Sequence, residues 1–368
     1  MKKRVLLVSS EFPPGPGGIG QHAYSLVQAL RVEHFEVVVM SPADFVSNDE
    51  TRDFDSKQNF EIIRYQRIGL RTYLGRFVTT YRFLKSTEVD AIILTGKFSL
   101  WQGWLLKKMG IRKNQIAILH GSEVNLSNFI LRKFTHLTIS TADQIVAVSK
   151  FTKSLLPEWI LKKRKVEIIP NGIELSNETK KFNVVKLDGW PKLITVGHVS
   201  PRKGQHRVIK ALPALIKTFP NIKYHIIGRP VNQRVIEDLA YKLGVLENIV
   251  FQGRIKDHND LQGYYRAADI FMLLSENQVN GDVEGFGIVA LEANLNGLPV
   301  IGAKFCGVED AVSDGHSGYL VDGNNVEEIS QAVVKAIENR EQLSLGSKQW
   351  AEIHDWKIIV KRYTSLIS

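Results

Sequence analysis

Residues 282–301 read Asp-Val-Glu-Gly-Phe-Gly-Ile-Val-Ala-Leu-Glu-Ala-Asn-Leu-Asn-Gly-Leu-Pro-Val-Ile. The spacing predicts a helix over 288–296, opened by a Gly-Phe-Gly loop, ended by Gly297 in a left-handed position and followed by a strand from 298. A glycine loop that opens a helix presents backbone N–H groups at the positive end of the helix dipole, which suits a phosphate. Two carboxylates frame it: Glu284 before the loop and Glu292 between the apolar Leu291 and Ala293. A buried carboxylate needs a partner, and a pair of sugar or ribose hydroxyls would serve. A helix cap at Glu284 with a satisfied core carboxylate at Glu292 is the structural alternative.

The 368 residues are long for one core and comfortable for two domains. An apolar fraction of 44% with ordinary charge content describes a soluble globular protein. The single Cys306 excludes an internal disulfide and fits a reducing cytoplasm. The amino-terminal Met-Lys-Lys-Arg-Val-Leu-Leu-Val-Ser-Ser has too short an apolar run for a signal peptide and reads as a buried first strand. No run of apolar residues is long enough to span a bilayer. A net charge of +10 calls for nucleic acid, an anionic membrane surface or anionic substrates.

In chain order, a strand over 5–10 leads through Glu11-Phe12-Pro13-Pro14 to Gly15-Pro16-Gly17-Gly18-Ile19-Gly20, then a helix over about 21–30 and a strand over 36–40. Residues 15–20 match the dinucleotide fingerprint G-x-G-x-x-G, but the turn is long and carries prolines, and no acid ends the second strand. Residues 47–58 are polar; their Asp53-Phe54-Asp55 pair reads as a solvated loop rather than a metal–diphosphate motif. From Arg64 to Lys85 basic and aromatic residues interleave, and positions 70, 73, 74, 77, 78 and 81 fall on one helical face. Such a helix suits an anionic membrane surface, and equally a core-facing stripe with arginines in solvent; no recognition motif supports nucleic acid. Strands are expected over 90–95, 116–119, 143–148 and 166–169, and His120 stands at the end of the second of these, where parallel α/β sheets place ligands. A structural turn histidine is the alternative. Residues 174–191 read as a linker, after which strands alternate with helices again from 193 to 321.

Taken together, Glu-Gly-Phe-Gly-Ile-Val-x-Leu-Glu-Ala with Gly-x-Pro-Val-Ile resembles the Glu-x7-Glu signature of the retaining glycosyltransferases of family 4, closest to the phosphatidylinositol mannosyltransferase-like branch. The stretches Asp-Gln-Ile-Val-Ala-Val-Ser at 143–149 and Ile-Pro-Asn-Gly-Ile at 169–173 resemble further family motifs. The resemblance implies a GT-B fold, two Rossmann-like doubly wound parallel-sheet α/β domains facing a cleft. The first would cover 1–173 and bind acceptor, with a terminal helix at about 354–368 packing back on it; the second, at 192–353, would bind donor.

The same resemblance distributes roles. Glu284 would contact donor sugar hydroxyls, Glu292 the ribose, and the backbone of Gly285, Phe286, Gly287 and Ile288 the diphosphate. His120 would lie near the reacting centre, and Gly17 and Gly18 would touch acceptor or diphosphate. After the strand at 193–197, Lys203 matches the family's diphosphate lysine, while His198 replaces its arginine; Arg202 is the candidate substitute, because a neutral imidazole cannot fork onto a phosphate. The backbone of Ile255 would meet the base and Asp257 sits where guanine-selective members carry an acid. Cys306-Gly307-Val308-Glu309-Asp310 departs from the family's Gly-Gly-x-Pro-Glu, with an effect expected only on a helix start.

The implied activity is metal-independent transfer of a hexose, mannose from GDP-mannose being the first expectation and a UDP-sugar the second, to a lipid-linked or glycan acceptor at the cytoplasmic membrane face. No cofactor, no metal and no nucleic acid are expected. Lys203 and helix amides would stabilise the leaving diphosphate without a protein nucleophile. Rival readings are an NAD-dependent oxidoreductase built on residues 15–20 and a non-catalytic nucleotide-sugar-binding protein in which His198 marks a decayed site.

Overall fold

A computed structural model describes residues 2–43, 46–65, 71–175, 183–255 and 257–367. The chain divides into two compact units, Met1–Gly172 with Trp356–Ser368, and Ile173–Asp355. The linker expected over 174–191 lies partly outside the described residues.

The first unit is built on seven parallel strands: β1 (Arg4–Ser9), β2 (Glu36–Pro42), β3 (Glu61–Tyr65), β4 (Ala91–Thr95), β5 (Asn114–Leu119), β6 (Gln144–Ala147) and β7 (Val166–Ile168). They stand in the order β3-β2-β1-β4-β5-β6-β7. β4, Ala-Ile-Ile-Leu-Thr, is buried at every position, as a parallel strand covered by helices on both faces must be. β3 has no counterpart in the sequence reading: it is an edge strand, buried only at Tyr65, and its Arg64 breaks the apolar run.

The second unit repeats the plan with β8 (Lys192–Val196), β9 (Lys223–Ile227), β10 (Ile249–Gly253), β11 (Ile270–Leu273), β12 (Val300–Ala303) and β13 (Gly318–Val321), ordered β10-β9-β8-β11-β12-β13. Both sheets therefore reverse their winding, between β1 and β4 and between β8 and β11. Outside the carboxyl ends of strands at such a reversal, open α/β sheets hold ligands. His198, Arg229, Arg254 and His120 follow strands at their carboxyl ends.

The terminal helix Trp356–Ile367 belongs to the first unit. Asn114 Nδ2 donates to the Leu366 carbonyl at 2.7 Å, and Tyr363 is fully buried.

Three local expectations are corrected. Residues 47–58 are no loop: a helix runs over Asn48–Ser56, started by a capping box between Ser47 and Glu50. Asp53 pairs with Lys57 at 2.6 Å and Asp55 with Arg64 at 2.7 Å, so both carboxylates are structural. The helix after the glycine loop starts at Gly18, three residues earlier than its apolar pattern, because the loop glycines themselves enter the first turn. The basic stretch forms a helix over Arg71–Ser86, with 66–70 outside the described residues, but its inward positions are Thr72, Arg76, Thr80 and Leu84. Phe77 and Tyr81 lean against the core beside that row while Tyr73 and Leu74 are exposed. The polar inward row is held by a network in which the Tyr65 and Thr80 hydroxyls meet at 2.7 Å, and Gln102 Nε2 donates to Thr80 Oγ1.

Candidate functional site

In the second unit the short helix Ile288–Leu295 starts at Gly287, whose φ of +90° only glycine adopts without strain. Among the described residues no N-cap side chain bonds this helix start; the Ala290 amide donates to the Gly287 carbonyl at 2.8 Å, which leaves the amides of Ile288 and Val289 for an anion at the positive dipole end. Glu284, just before the loop, gathers two cations: its Oε2 accepts from Arg202 Nη1 at 2.5 Å and from Lys203 Nζ at 2.7 Å. Arg202 Nε also lies 3.1 Å from Asp282. Burial alone would raise the Glu284 carboxyl. The Lys203 ammonium and the Arg202 guanidinium outweigh it and hold the group below the usual carboxylate range. The sequence placed these three side chains in one donor site; the structure adds that they bind one another and that Asp282 joins them.

His198 follows β8 and has no such partner among the described residues. Its imidazole is held below its ordinary value by partial burial and then by Arg229, Lys203, Arg202 and Arg254 around it. Arg229 and Arg254, which sequence reasoning passed over, follow the ends of β9, the neighbour of β8, and β10, the edge strand beyond it. Backbone bonds from Gly197 N–H to the Ile227 carbonyl, Val199 N–H to Arg229 and Gly228 N–H to Gly253 tie the three strand ends together. Neither arginine has an ion pair among the described residues, so the positive charge that Arg202 and Lys203 spend on Glu284 is not the only charge present. The strand-end rule applied to every strand would have found both.

Glu292 is half-buried rather than buried, and its Oε2 accepts from the Tyr265 hydroxyl at 2.8 Å. Tyr265 is itself fully buried, so this bond fixes the carboxylate and leaves its other oxygen available. Asp257 caps the helix His258–Ala267: its Oδ1 accepts the amides of Asn259 at 2.6 Å and Asp260 at 3.2 Å. Ile255 lies in the loop after β10, half-buried. Cys306 is buried and its thiol is pushed up to about 12 by burial, which makes it inert. It starts a one-turn 3-10 helix, Gly307–Asp310, whose first residue packs its Cα against the Gly285 carbonyl.

The first unit carries a separate cluster at its own sheet reversal. Gly17, at φ +149°, is pressed against the Glu11 carboxylate: a Cβ there would lie 2.0 Å from Glu11 Oε2. Gly18, by contrast, opens onto free space. His120, at the end of β5, bonds Thr95 Oγ1 through Nε2 at 2.9 Å, and its ring stands edge-on to His22 at 4.9 Å between centroids. Burial drives the His120 imidazole down to about 3, so it is neutral at physiological pH. Glu123 closes the turn: its Oε1 accepts the His120 amide at 2.6 Å, while Oε2 is buried with no hydrogen-bond partner among the described residues. Burial, with Glu11 adding to it, pushes this carboxyl up to about 7. Glu123 and His22 had no role in the sequence reading; a carboxylate three residues after a strand-end histidine was the available signal. The dinucleotide reading of 15–20 finds no support here, because eight residues separate β1 from the helix where a Rossmann turn is tight.

Two family models match the chain: "Glycosyltransferase Family 4" over residues 16–177 and "Glycosyl transferases group 1" over 176–349. The chain is 26% identical to a GDP-mannose-dependent alpha-(1-6)-phosphatidylinositol monomannoside mannosyltransferase of Mycolicibacterium smegmatis, over 99% of this chain and 98% of that protein. It is also 26% identical to a GDP-mannose-dependent monoacylated alpha-(1-6)-phosphatidylinositol monomannoside mannosyltransferase of Corynebacterium glutamicum, with the same coverage. Among solved structures, sucrose-phosphate synthase from Thermosynechococcus elongatus superposes with a TM-score of 0.77 at 20% identity, covering 99% of this chain and 98% of that one. Anabaena HepE in complex with UDP and glucose gives 0.74 at 17% identity, with coverage of 99% and 98%. At these identities the two structures speak for the fold alone.

Proposed function

The chain belongs to glycosyltransferase family 4, a retaining hexosyltransferase of the GT-B fold, and we propose that it moves mannose from GDP-mannose to a lipid-linked or glycan acceptor at the cytoplasmic face of a membrane. The observation that carries this reading is the meeting of Glu284, Arg202 and Lys203 beside the uncapped helix Ile288–Leu295. A nucleoside diphosphate entering there offers its own negative charge to both cations and to the amides. Glu284 is then released from them to accept from sugar hydroxyls.

As the anomeric bond breaks, negative charge grows on the leaving diphosphate. Lys203, Arg202 and the loop amides are placed to stabilise that charge without reorganising, the kind of assistance worth several kcal/mol in a water-poor site. Arg229 and Arg254 supply the charge that the family's arginine would have brought at position 198. Glu292, fixed by Tyr265, accepts from the ribose. His120, neutral and held by Thr95, offers a hydrogen bond to the acceptor that the first unit binds. The donor phosphate takes the acceptor proton, so no side chain serves as nucleophile and no metal is called on.

The printed activities of the relatives support mannose, and Asp257, where guanine-selective members carry an acid, supports GDP. A UDP-sugar is the second reading, favoured by one observation: Asp257 Oδ1 already accepts two amides, which leaves only Oδ2 fully open to the paired N–H groups of guanine. Thermal unfolding against GDP, UDP, ADP and their sugars decides between them. A ligand at one hundred times its Kd adds about 2.7 kcal/mol of stability. A shift with GDP-mannose supports the proposal, a shift only with UDP-sugars replaces the donor, and no shift with any nucleotide overturns the donor site, with the loss of the family's arginine at His198 as its cause.

A further inference from the structure

The helices Arg71–Ser86, Lys97–Lys108 and Phe129–Ser140 of the first unit enclose a cavity of about 600 Å³ that no step above uses. Its apolar walls include Phe77 from the first helix, Phe98, Trp101 and Trp104 from the second, and Phe134 from the third; Tyr73 stands at its edge, and Arg76, Lys97 and Gln102 are its polar members. That volume is in the range of small-molecule sites, about 300–1,000 Å³, and the lining is almost wholly hydrocarbon and aromatic. The cavity opens beside an apolar outer surface. Tyr73 and Leu74 are exposed on the first helix, and Phe129 and Ile130 on the first turn of the third stand 56% and 75% exposed. Consecutive exposed large apolar residues beside an apolar cavity mark a place where something binds.

The charge around it narrows the occupant. The three helices contain four, three and two Lys or Arg residues respectively and not one Asp or Glu. Several of these cations lie on the aromatic rings themselves: Lys97 Nζ is 4.7 Å from the Phe98 ring centre and Lys133 Nζ 4.2 Å from that of Phe129. A second copy of this chain would bring one acid-free basic face against another. A nucleic acid has no hydrocarbon with which to fill the cavity. An anionic lipid answers both features, with its headgroup among the cations and its chain among the rings.

We propose that this cavity receives one hydrocarbon chain of an anionic membrane lipid, with Phe129 and Ile130 entering the bilayer surface beside it. The inference rests on the lipid-acceptor reading of the preceding subsection and adds to it a site for the tail. It reaches beyond the amphipathic stretch 64–85, because two of its three walls come from helices that stretch does not contain.

The full chain, without nucleotide, is mixed with vesicles of phosphatidylcholine alone or with an equal share of phosphatidylglycerol, the acyl chains of one lipid or the other being brominated. Trp101 and Trp104 line the cavity, so a brominated chain inside it quenches their fluorescence. The expected result is quenching by brominated phosphatidylglycerol and little by brominated phosphatidylcholine. Trp101→Phe with Trp104→Phe should remove most of the quenching while sedimentation with the vesicles persists. Arg132→Gln with Lys133→Gln, at the surface, should weaken vesicle binding roughly twenty-fivefold, a factor of about five for each charge. Binding with no quenching, or with quenching unchanged in the double tryptophan variant, overturns the cavity site although the membrane surface stands. Absence of vesicle binding, with a dimer that Phe129→Ser and Ile130→Ser dissociate, assigns the face to a second copy and also overturns it. Because no sugar donor is present, failure of the transferase reading appears separately, as thermal silence toward every nucleotide while the quenching persists.

Discussion

One carboxylate oxygen of Glu284 receives Lys203 Nζ at 2.7 Å and also the Arg202 guanidinium. The group assigned to the sugar and the groups assigned to the diphosphate are therefore each other's partners before any donor arrives. Binding must break that arrangement and remake it around the phosphates, so the affinity for a diphosphate is set against the strength of an internal ion pair. Glu284→Gln should separate the two roles. Removing the competing charge leaves GDP bound as tightly as before, or up to about tenfold more tightly, since hydrogen bonds to charged groups are worth about 1.5–3 kcal/mol. The rate of transfer should fall by about a hundredfold or more. Calorimetric titration with GDP beside initial rates checks this. A parallel loss of GDP affinity and rate would place Glu284 among the diphosphate ligands instead.

His198 should make donor binding depend on pH. Partial burial and the surrounding Arg229, Lys203, Arg202 and Arg254 keep its imidazole below the ordinary value and hence neutral at pH 7. A diphosphate placed among those cations cancels their field and raises the imidazole's affinity for a proton. Binding then takes up protons, and the affinity for GDP should increase as pH falls from 8 toward 6. Titrations in buffers of different ionisation heat measure the uptake directly. His198→Ala should abolish the uptake, and an unchanged proton count in that variant would move its source elsewhere.

These two cases show what could be read without coordinates. The two-domain α/β plan was legible because parallel strands buried on both faces leave continuous apolar runs, as in Ala91–Thr95. The edge strand Glu61–Tyr65 was not, since one side of it is open and Arg64 fits there. The glycine loop before Ile288 was legible because a positive φ at a helix start leaves a glycine in the sequence. The pairing of Glu284 with Lys203 was not, because 81 positions separate them and only the fold brings them together. Helical periodicity set Tyr73 and Leu74 on one apolar face, for a membrane surface or for the core alike; both are exposed, whereas a polar row, Thr72, Arg76 and Thr80, points inward and is satisfied by Tyr65 and Gln102. A pattern of apolar spacing carries no information about such a network.

Glu292 and Tyr265 provide a paired test of the ribose site. Glu292→Ala removes the acceptor and should weaken nucleotide binding by about 1–3 kcal/mol. Tyr265→Phe removes only the 2.8 Å bond that orients the carboxylate, so its effect should be smaller and of the same sign. Both are read from GDP and UDP titrations. Full affinity in Glu292→Ala would leave the carboxylate a purely structural partner of Tyr265.

The two adjacent glycines of the first unit should respond in opposite ways. Gly17→Ala drives a methyl into Glu11 Oε2 in a backbone conformation that side chains rarely adopt, and should cost about 1–3 kcal/mol of stability. Gly18→Ala meets no atom within 4 Å and should fold with unchanged stability. If the loop touches substrate, the Gly18 methyl nevertheless lowers kcat/KM. Denaturant unfolding and steady-state rates on both variants check this; a Gly18→Ala enzyme with normal kinetics would remove the loop from the site.

Glu123 should place a measurable slope in the stability of the protein between mildly acidic and neutral pH. Burial, with Glu11 adding to it, raises its carboxyl from 4.5 to about 7. The unfolded chain releases this proton near its ordinary value while the folded chain holds it. The contribution is thus fully present below about 4.5 and is lost as pH rises through about 7. Its size is of order 1–3 kcal/mol at pH 8. His120 acts on the other limb: its imidazole is lowered to about 3, so stability is lost as pH falls from the ordinary histidine value toward that point. Glu123→Gln keeps an oxygen to accept the His120 amide and removes only the alkaline loss. Denaturant unfolding of both proteins at pH 5 and pH 8 gives the comparison. The variant should gain relative to wild type at the higher pH and be level with it, or slightly weaker, at the lower. An equal difference at both values would mean that Glu123 is ionised in the fold, and its unpartnered Oε2 would then have to find its counter-charge in a rearranged turn.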